Sequence, residues 1–163
     1  MDEPFSRMLH ARWGDMDFNG HMRNTAYLDA AGDVRMMYFA AEGFPIGELQ
    51  RRRMGPVILR DELEYFREIH LLEPVRVTLA AAGASEDLSH FLLVDELFRE
   101  SGELAARVTS RGGWLDLRAR RFAAPPADLA AAIRRMPRAE GFEVQPTLVR
   151  PAAAREPRSI DPA

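Results

Sequence analysis

Between Asn24 and about Gly43, apolar side chains recur at Tyr27, Ala31, Val34, Tyr38 and Ala41, and Ala30, Met37 and Phe39 widen the stripe. Steps of three and four residues put all of these on one side of a helix of about five turns. A stripe this broad, with so many large residues, calls for a concave partner. Gly43 followed by Phe44-Pro45 supplies the stop, since glycine accepts a left-handed cap and proline cannot continue the helix. Upstream the period changes to two. Leu9, Ala11 and Trp13 fall on one side of a segment beginning at Phe5, with His10 and Arg12 on the other, which predicts a half-buried strand ending at Gly14.

Four more extended segments follow the helix, at about Pro56 to Arg67, Val75 to Ala82, His90 to Arg99 and Leu104 to Leu117. Val75, Val77, Leu79 and Ala81 alternate with Arg76, Thr78 and Ala80, so one face of that strand is apolar. The joints LLEP, GASEDLS and ESGE have turn composition and hairpin length. Gly112-Gly113 interrupts the last strand, where a bulge or sharp bend is expected. After Pro125-Pro126 the run ADLAAAIRRM predicts a short amphipathic helix with its basic residues at the favourable carboxyl end. The order of elements fits an α+β domain in which one antiparallel sheet of about five strands wraps a long central helix. The predicted division is a single domain over 1–137 and a Pro/Ala/Arg-rich tail, extended or partly disordered, over 138–163.

Length and composition narrow the class without selecting a function. The 163 residues suit one domain, and 47% hydrophobic with 29% charged residues is ordinary for a globular protein in water. The net charge of -3 gives no global attraction to nucleic acid or to an anionic membrane, so any anion site must be local. The absence of Cys excludes disulfides, thiolate metal sites and a cysteine nucleophile. No apolar run has the length of a signal peptide or a bilayer span, so a cytoplasmic protein is expected. HExxH, paired-Cys, P-loop and GxGxxG patterns are lacking, which leaves metal and nucleotide-fold readings without support.

Chemistry concentrates where the first strand gives way to the helix, in RWGDMDFNGHMRNTAY from Arg12 to Tyr27. A carboxylate in a loop against an apolar helix gains basicity from partial desolvation. The unpaired backbone N-H groups of the helix start, near Asn24 and Thr25, present positive potential to a developing oxyanion. Base and oxyanion donors can thus come from one short loop, with Gly20 allowing close approach of the backbone. Each residue also has a plainer reading. Asp17 could cap, Asn19-Gly20 could simply turn, Asp15 could hydrogen-bond the loop, His21 could support it, and Asn24 could cap the helix.

The pattern Asp15-x-Asp17-x-x-Gly20-His21-x-x-Asn24-x-x-Tyr27, after a strand and before a long helix, resembles the hotdog-fold acyl-CoA thioesterases of the 4-hydroxybenzoyl-CoA thioesterase type. The Pro74-Val75-x-Val77 strand start, Gly102-Glu103-Leu104-Ala105 and WLDLRARRFAAPP come in the order expected of that family, so the likeness covers roughly residues 5 to 135. It implies a sheet wrapped around the helix, protomers paired as a homodimer or homotetramer, and a thioester held at the interface. It also implies hydrolysis of an acyl-CoA, or of an acyl carrier protein thioester, without metal or redox cofactor. Asp17 takes the place of the general base or nucleophile, with Gly20, His21, Asn24 and Thr25 around it and Asp15 and Tyr27 on the substrate side. Arg23 stands where many relatives have Asn.

Two basic clusters, Arg51-Arg52-Arg53 and Arg118, Arg120 and Arg121, could each pair with the phosphates of coenzyme A, though either could be a solvated face. Met36, Met37, Tyr38 and Phe39 pack the helix or line an acyl pocket. Two other functions fit the same scaffold: a noncatalytic acyl-binding or assembly module, and an acyl-thioester hydratase or dehydratase using a carboxylate with His21.

Overall fold

The computed structural model describes residues 3–149 and 158–159. Strand β1 (Phe5–His10) leads through a short 3-10 turn at Trp13–Asp15 to α1 (Asn24–Ala41) and α2 (Ile46–Arg52). Then come β2 (Met54–Tyr65), β3 (Pro74–Ala84), β4 (His90–Arg99), β5 (Leu104–Asp116), the short β6 (Arg121–Phe122), α3 (Ala127–Arg135) and β7 (Arg138–Val144). The sheet runs β1-β3-β4-β5-β2, all neighbours antiparallel, with β6 on β5 and β7 parallel to β3. Among the described residues no helix is long and apolar enough to cross a membrane.

Helix α1 lies in the hollow of the sheet because its stripe has nowhere else to go. Ala26, Tyr27, Ala31, Val34, Tyr38 and Phe39 are buried, facing Val75, Val77, Leu79 and Ala81 of β3 and Ala106 and Val108 of β5. Gly43 closes the helix at φ +90°. Phe44 N-H donates to Phe39 O at 2.7 Å, satisfying a terminal carbonyl. Two residues of the expected stripe turn outward: Met37 is 38% exposed and Ala41 is exposed, while Met36 faces inward.

An arginine sits within that apolar face. Arg35 of α1 gives Nε and Nη2 to Asp95 Oδ2 of β4 at 2.9 and 2.5 Å, and Nη2 also reaches Ser110 Oγ of β5 at 2.7 Å. Ser110 in turn donates to Asp61 of β2. Asp95 is 0% exposed and its Oδ1 has no partner among the described residues, so burial pushes its carboxyl up to about 6 against the pull of Arg35.

Other departures have local causes. Trp13 leaves the strand alternation and stands 81% exposed, because the chain coils into the 3-10 turn after Arg12. The irregularity near Gly112-Gly113 lies on the facing strand, between Ile58 and Arg60 of β2. The glycines themselves admit close neighbours, since a Cβ on Gly112 would lie 2.3 Å from Val57 O and 2.7 Å from Phe91 Cζ. The boundary expected at residue 137 falls inside the folded unit. Residues 138–144 form β7 against Ala81, Gly83 and Ala84, and Gly83 permits this because a Cβ there would lie 2.6 Å from Glu143 O. The remainder of the predicted tail, 150–157 and 160–163, lies outside the described residues.

Candidate active site

From Met16 to Met22 the chain doubles back in a tight turn, with bridges between Met16 and Met22 and between His21 and His70. Asp17 N-H donates to His21 O at 2.8 Å, and Gly20 N-H donates to Asp17 O at 3.1 Å. Gly20 has φ +79°, a conformation that a side chain disfavours, while a Cβ would meet nothing within 4 Å. Its place is therefore set by the turn rather than by crowding. Asp17 Oδ1 accepts from Asn19 N-H at 2.8 Å and His21 N-H at 3.2 Å. Its other oxygen has no partner among the described residues, so the carboxylate is oriented through one atom and presents the second.

Asp17 lines an open cleft of about 370 Å³ together with His21, Met22, Asn24, Tyr27 and the end of β2 with its following loop, Tyr65 to Glu68. His21 Nε2 lies 3.1 Å from Glu68 Oε2, and its ring packs edge-on against His70 at 5.3 Å. The His21 ring is thus engaged with Glu68, while its backbone holds Asp17. Tyr27 is buried beneath the cleft with its ring edge-on to Tyr65, and burial raises its phenol above the ordinary range. Tyr65 Oη donates to Asn24 O at 3.0 Å, joining β2 to the helix start.

Asn24 is the first helical residue, and the cap position belongs to Arg23, which makes no side-chain cap bond. This corrects the capping reading of Asn24. The N-H groups of Asn24 and Thr25 are without acceptors among the described residues, whereas Ala26 N-H is satisfied by Arg23 O at 3.0 Å. Both donors thus stand unsatisfied at the positive end of a helix whose first residue, Asn24, lines the cleft with Asp17. Arg23 holds this junction together, reaching Gly14 O, Thr25 Oγ1 at 2.9 Å and Asp29 Oδ2 at 3.1 Å.

Asp15 is not part of the cleft. It is buried behind the loop, with Oδ2 accepting Arg12 N-H at 2.8 Å and both oxygens bound by the Arg12 guanidinium at 3.2 Å. Its carbonyl accepts Arg23 N-H at 2.7 Å. Burial works to raise this carboxyl, but the Arg12 hydrogen bonds and charge outweigh it and hold it below its usual range. Asp15 clamps the loop. The two basic clusters separate as well: Arg51 and Arg52 are bound to Glu48, and Arg52 also to Asp128. Arg118, Arg120 and Arg121 stand exposed on the β5–β6 hairpin. That hairpin adjoins the beginning of β2, through Met54↔Asp116, whereas the cleft adjoins its end, through Tyr65↔Ala106. The separation is on the order of 35 Å along the strand at ~3.3 Å per residue.

A family model described as the Thioesterase-like superfamily matches residues 11–133. The chain belongs to that superfamily. The matched segment holds the whole loop, α1, the five principal strands apart from β1, and most of α3. No curated protein matches. Among solved structures, a hypothetical protein of Staphylococcus aureus in complex with CoA superposes with TM-score 0.72 at 20% identity, over 94% of this chain and 96% of that one. A 1,4-dihydroxy-2-naphthoyl-CoA thioesterase from Synechocystis gives TM-score 0.73 at 18% identity, over 82% and 97%. A DHNA-CoA thioesterase from Staphylococcus aureus gives 0.73 at 18%, over 80% and 88%. The fold is the hotdog fold, and the superfamily makes this protein a thioester hydrolase.

Sequence reasoning missed Tyr65, Phe66, Arg67 and Glu68 as cleft residues. The available signal was the pair Tyr65-Phe66 at the end of a charged strand, both of them half exposed in the structure.

Proposed function

We propose that the protein hydrolyses acyl-CoA thioesters to a carboxylic acid and free CoA, with Asp17 as general base or nucleophile and the N-H groups of Asn24 and Thr25 as oxyanion donors. The observation that carries this reading is the Asp17 carboxylate, oriented through one oxygen, in a cleft that also holds Asn24, the first residue of a helix whose leading N-H groups are unsatisfied among the described residues. In the base route Asp17 takes a proton from water, the hydroxide adds to the carbonyl carbon, and the proton passes to the departing thiolate. In the nucleophile route Asp17 oxygen bonds to the carbonyl carbon, the thiolate leaves, and water cleaves the resulting anhydride. Single turnover in ¹⁸O-labelled water separates them, because the second route can place the label in Asp17.

The complete site is formed by two protomers. Strand β2 is an edge with a long exposed face, and Ile58 and Leu59 are 39% and 52% exposed on it. An edge of this length and character invites pairing with a second copy. Antiparallel pairing of two β2 strands carries the Arg118–Arg121 hairpin of one protomer to the cleft of the other, where guanidinium groups meet the CoA phosphates. An acyl carrier protein offers the same thioester arm and is the competing donor. Thiol release is measured across aromatic, short, medium and long acyl-CoAs. Turnover of at least one is expected; a protein inert towards all of them and towards acyl carrier protein thioesters overturns the reading.

A further inference from the structure

A second hollow lies between α1 and the sheet, under α3 and β7. It has a volume of about 240 Å³, and its walls include Met36, Phe39, Phe91, Leu93, Trp114 and Phe142. Gly32 and Ile58 mark its border along α1 and the β2 edge, and Arg134 and Arg138 mark its border at the carboxyl end. Among the described residues Arg35 is the buried charged group of the wall, and its Nε and Nη2 are bound by Asp95 and Ser110. Gly32 itself needs explaining. Glycine inside a helix is unfavourable relative to alanine. Here no positive φ and no close neighbour requires it, for a Cβ at Gly32 would meet nothing within 4 Å. The position borders open space.

We propose that this hollow is the acyl chamber of the thioesterase reading above, on which the proposal rests, and that it selects an alkyl chain over a hydroxylated aromatic ring. Its walls are mostly alkyl and aromatic side chains, and Arg35 Nε and Nη2 are bound by Asp95 and Ser110. A hydroxyl entering it gives up hydrogen bonds to water for a wall with few polar partners, whereas each methylene gains from leaving water. The chain enters past Gly32 and Ile58 along the β2 edge, where the interface between protomers is expected. The missing side chain at Gly32 is the opening, and Phe142 of β7 forms part of the far wall. Residues after 137 therefore help to set chain length.

The test uses CoA thioethers with ethyl, hexyl and decyl groups, which have no carbonyl and cannot be hydrolysed, titrated into the full-length protein by calorimetry. Affinity is expected to rise about fourfold per methylene, the factor corresponding to about 0.8 kcal/mol, until the chamber is full. Gly32→Leu, which places its side chain in the opening, is expected to flatten that rise. Phe142→Ala is expected to extend it to longer chains, so either variant tests the chamber if the other fails to fold. A 3,4-dihydroxybenzyl thioether should bind less tightly than the benzyl one. Affinity independent of chain length in the wild type, or a slope unchanged in both variants, overturns the proposal. Chain-length-dependent binding without hydrolysis of any acyl-CoA leaves the chamber standing and removes the Asp17 reading. Hydrolysis with a flat thioether series does the reverse.

Discussion

Among the described residues, replacing Arg35 by Met removes the one charge of opposite sign facing Asp95 and leaves a carboxylate 0% exposed, with Oδ1 already unpartnered and Asp61 close by. Breaking a buried pair from one side costs about 3–5 kcal/mol, out of a total stability on the order of 5–15 kcal/mol. With a urea dependence of about 2 kcal/mol per molar, the unfolding midpoint should fall by roughly 2 M at neutral pH. The loss should depend on pH with a definite sign. Asp95 titrates at about 6 in the fold against 3.8 ordinarily, so its protonated form favours folding. That stabilisation is complete below about pH 3.8 and is lost as pH rises through the folded value. Without Arg35 the folded value moves higher still, so the deficit of the variant should be small at pH 4.5 and large at pH 7.5. Adding Asp95→Leu should recover most of it, because neither charge of the buried pair then remains. Urea melts of the wild type and both variants at the two pH values decide the matter. A deficit under 1 kcal/mol that ignores pH, or a double variant as unstable as the single, refutes the reasoning.

Three further outcomes are expected. Asp87, held down at about 2 by hydrogen bonds from Thr147, Ser85 and Ser89 that outweigh its burial, fastens residues 145–149 to the β3–β4 turn. Because its folded value lies below the ordinary one, the fastening is present above about pH 4 and weakens as pH falls towards 2. Asp87→Ala should therefore raise hydrogen exchange in that segment at pH 7 with little change in β4. Gly112→Ala should destabilise by about 1–3 kcal/mol in urea melts, since the added carbon meets a backbone oxygen and the Phe91 ring. Joint replacement of Arg118, Arg120 and Arg121 by Ala should raise KM for acyl-CoA about tenfold at low salt while leaving KM for an acyl-pantetheine, which lacks the nucleotide phosphates, nearly unchanged.

The long helix and β3 were legible from their periods, Tyr27, Ala31, Val34 and Tyr38 for α1 and Val75, Val77, Leu79 and Ala81 for β3, and the other strands from the turn residues between them. What escaped had no such signal. β7 joins β3 in a parallel, irregular register that depends on Gly83 being bare, a relation between distant residues that no local pattern expresses. Arg35 and Asp95 are 60 residues apart, and each alone looks like a solvated charge until the fold brings them to 2.5 Å. At the loop, Asp17, His21, Asn24 and Tyr27 of the motif line one cleft, but the motif does not express how the two carboxylates divide. Asp15 and Asp17 look equivalent two positions apart, and the 3-10 turn buries the first against Arg12 while the tight turn presents the second. The Arg118–Arg121 hairpin, read as a partner for the phosphates of coenzyme A, is separated from the loop by the length of β2 within one chain.

The central claim is that the free oxygen of Asp17 acts on the thioester. Asp17→Asn keeps the Oδ1 acceptor for Asn19 and His21 N-H and removes only the carboxylate, so the turn should survive. Thiol release from the best acyl-CoA should fall by a factor of about 10²–10⁴ in this variant, with the melting temperature and thioether affinity of the wild type retained. Undiminished thiol release from a folded Asp17→Asn protein would contradict the account.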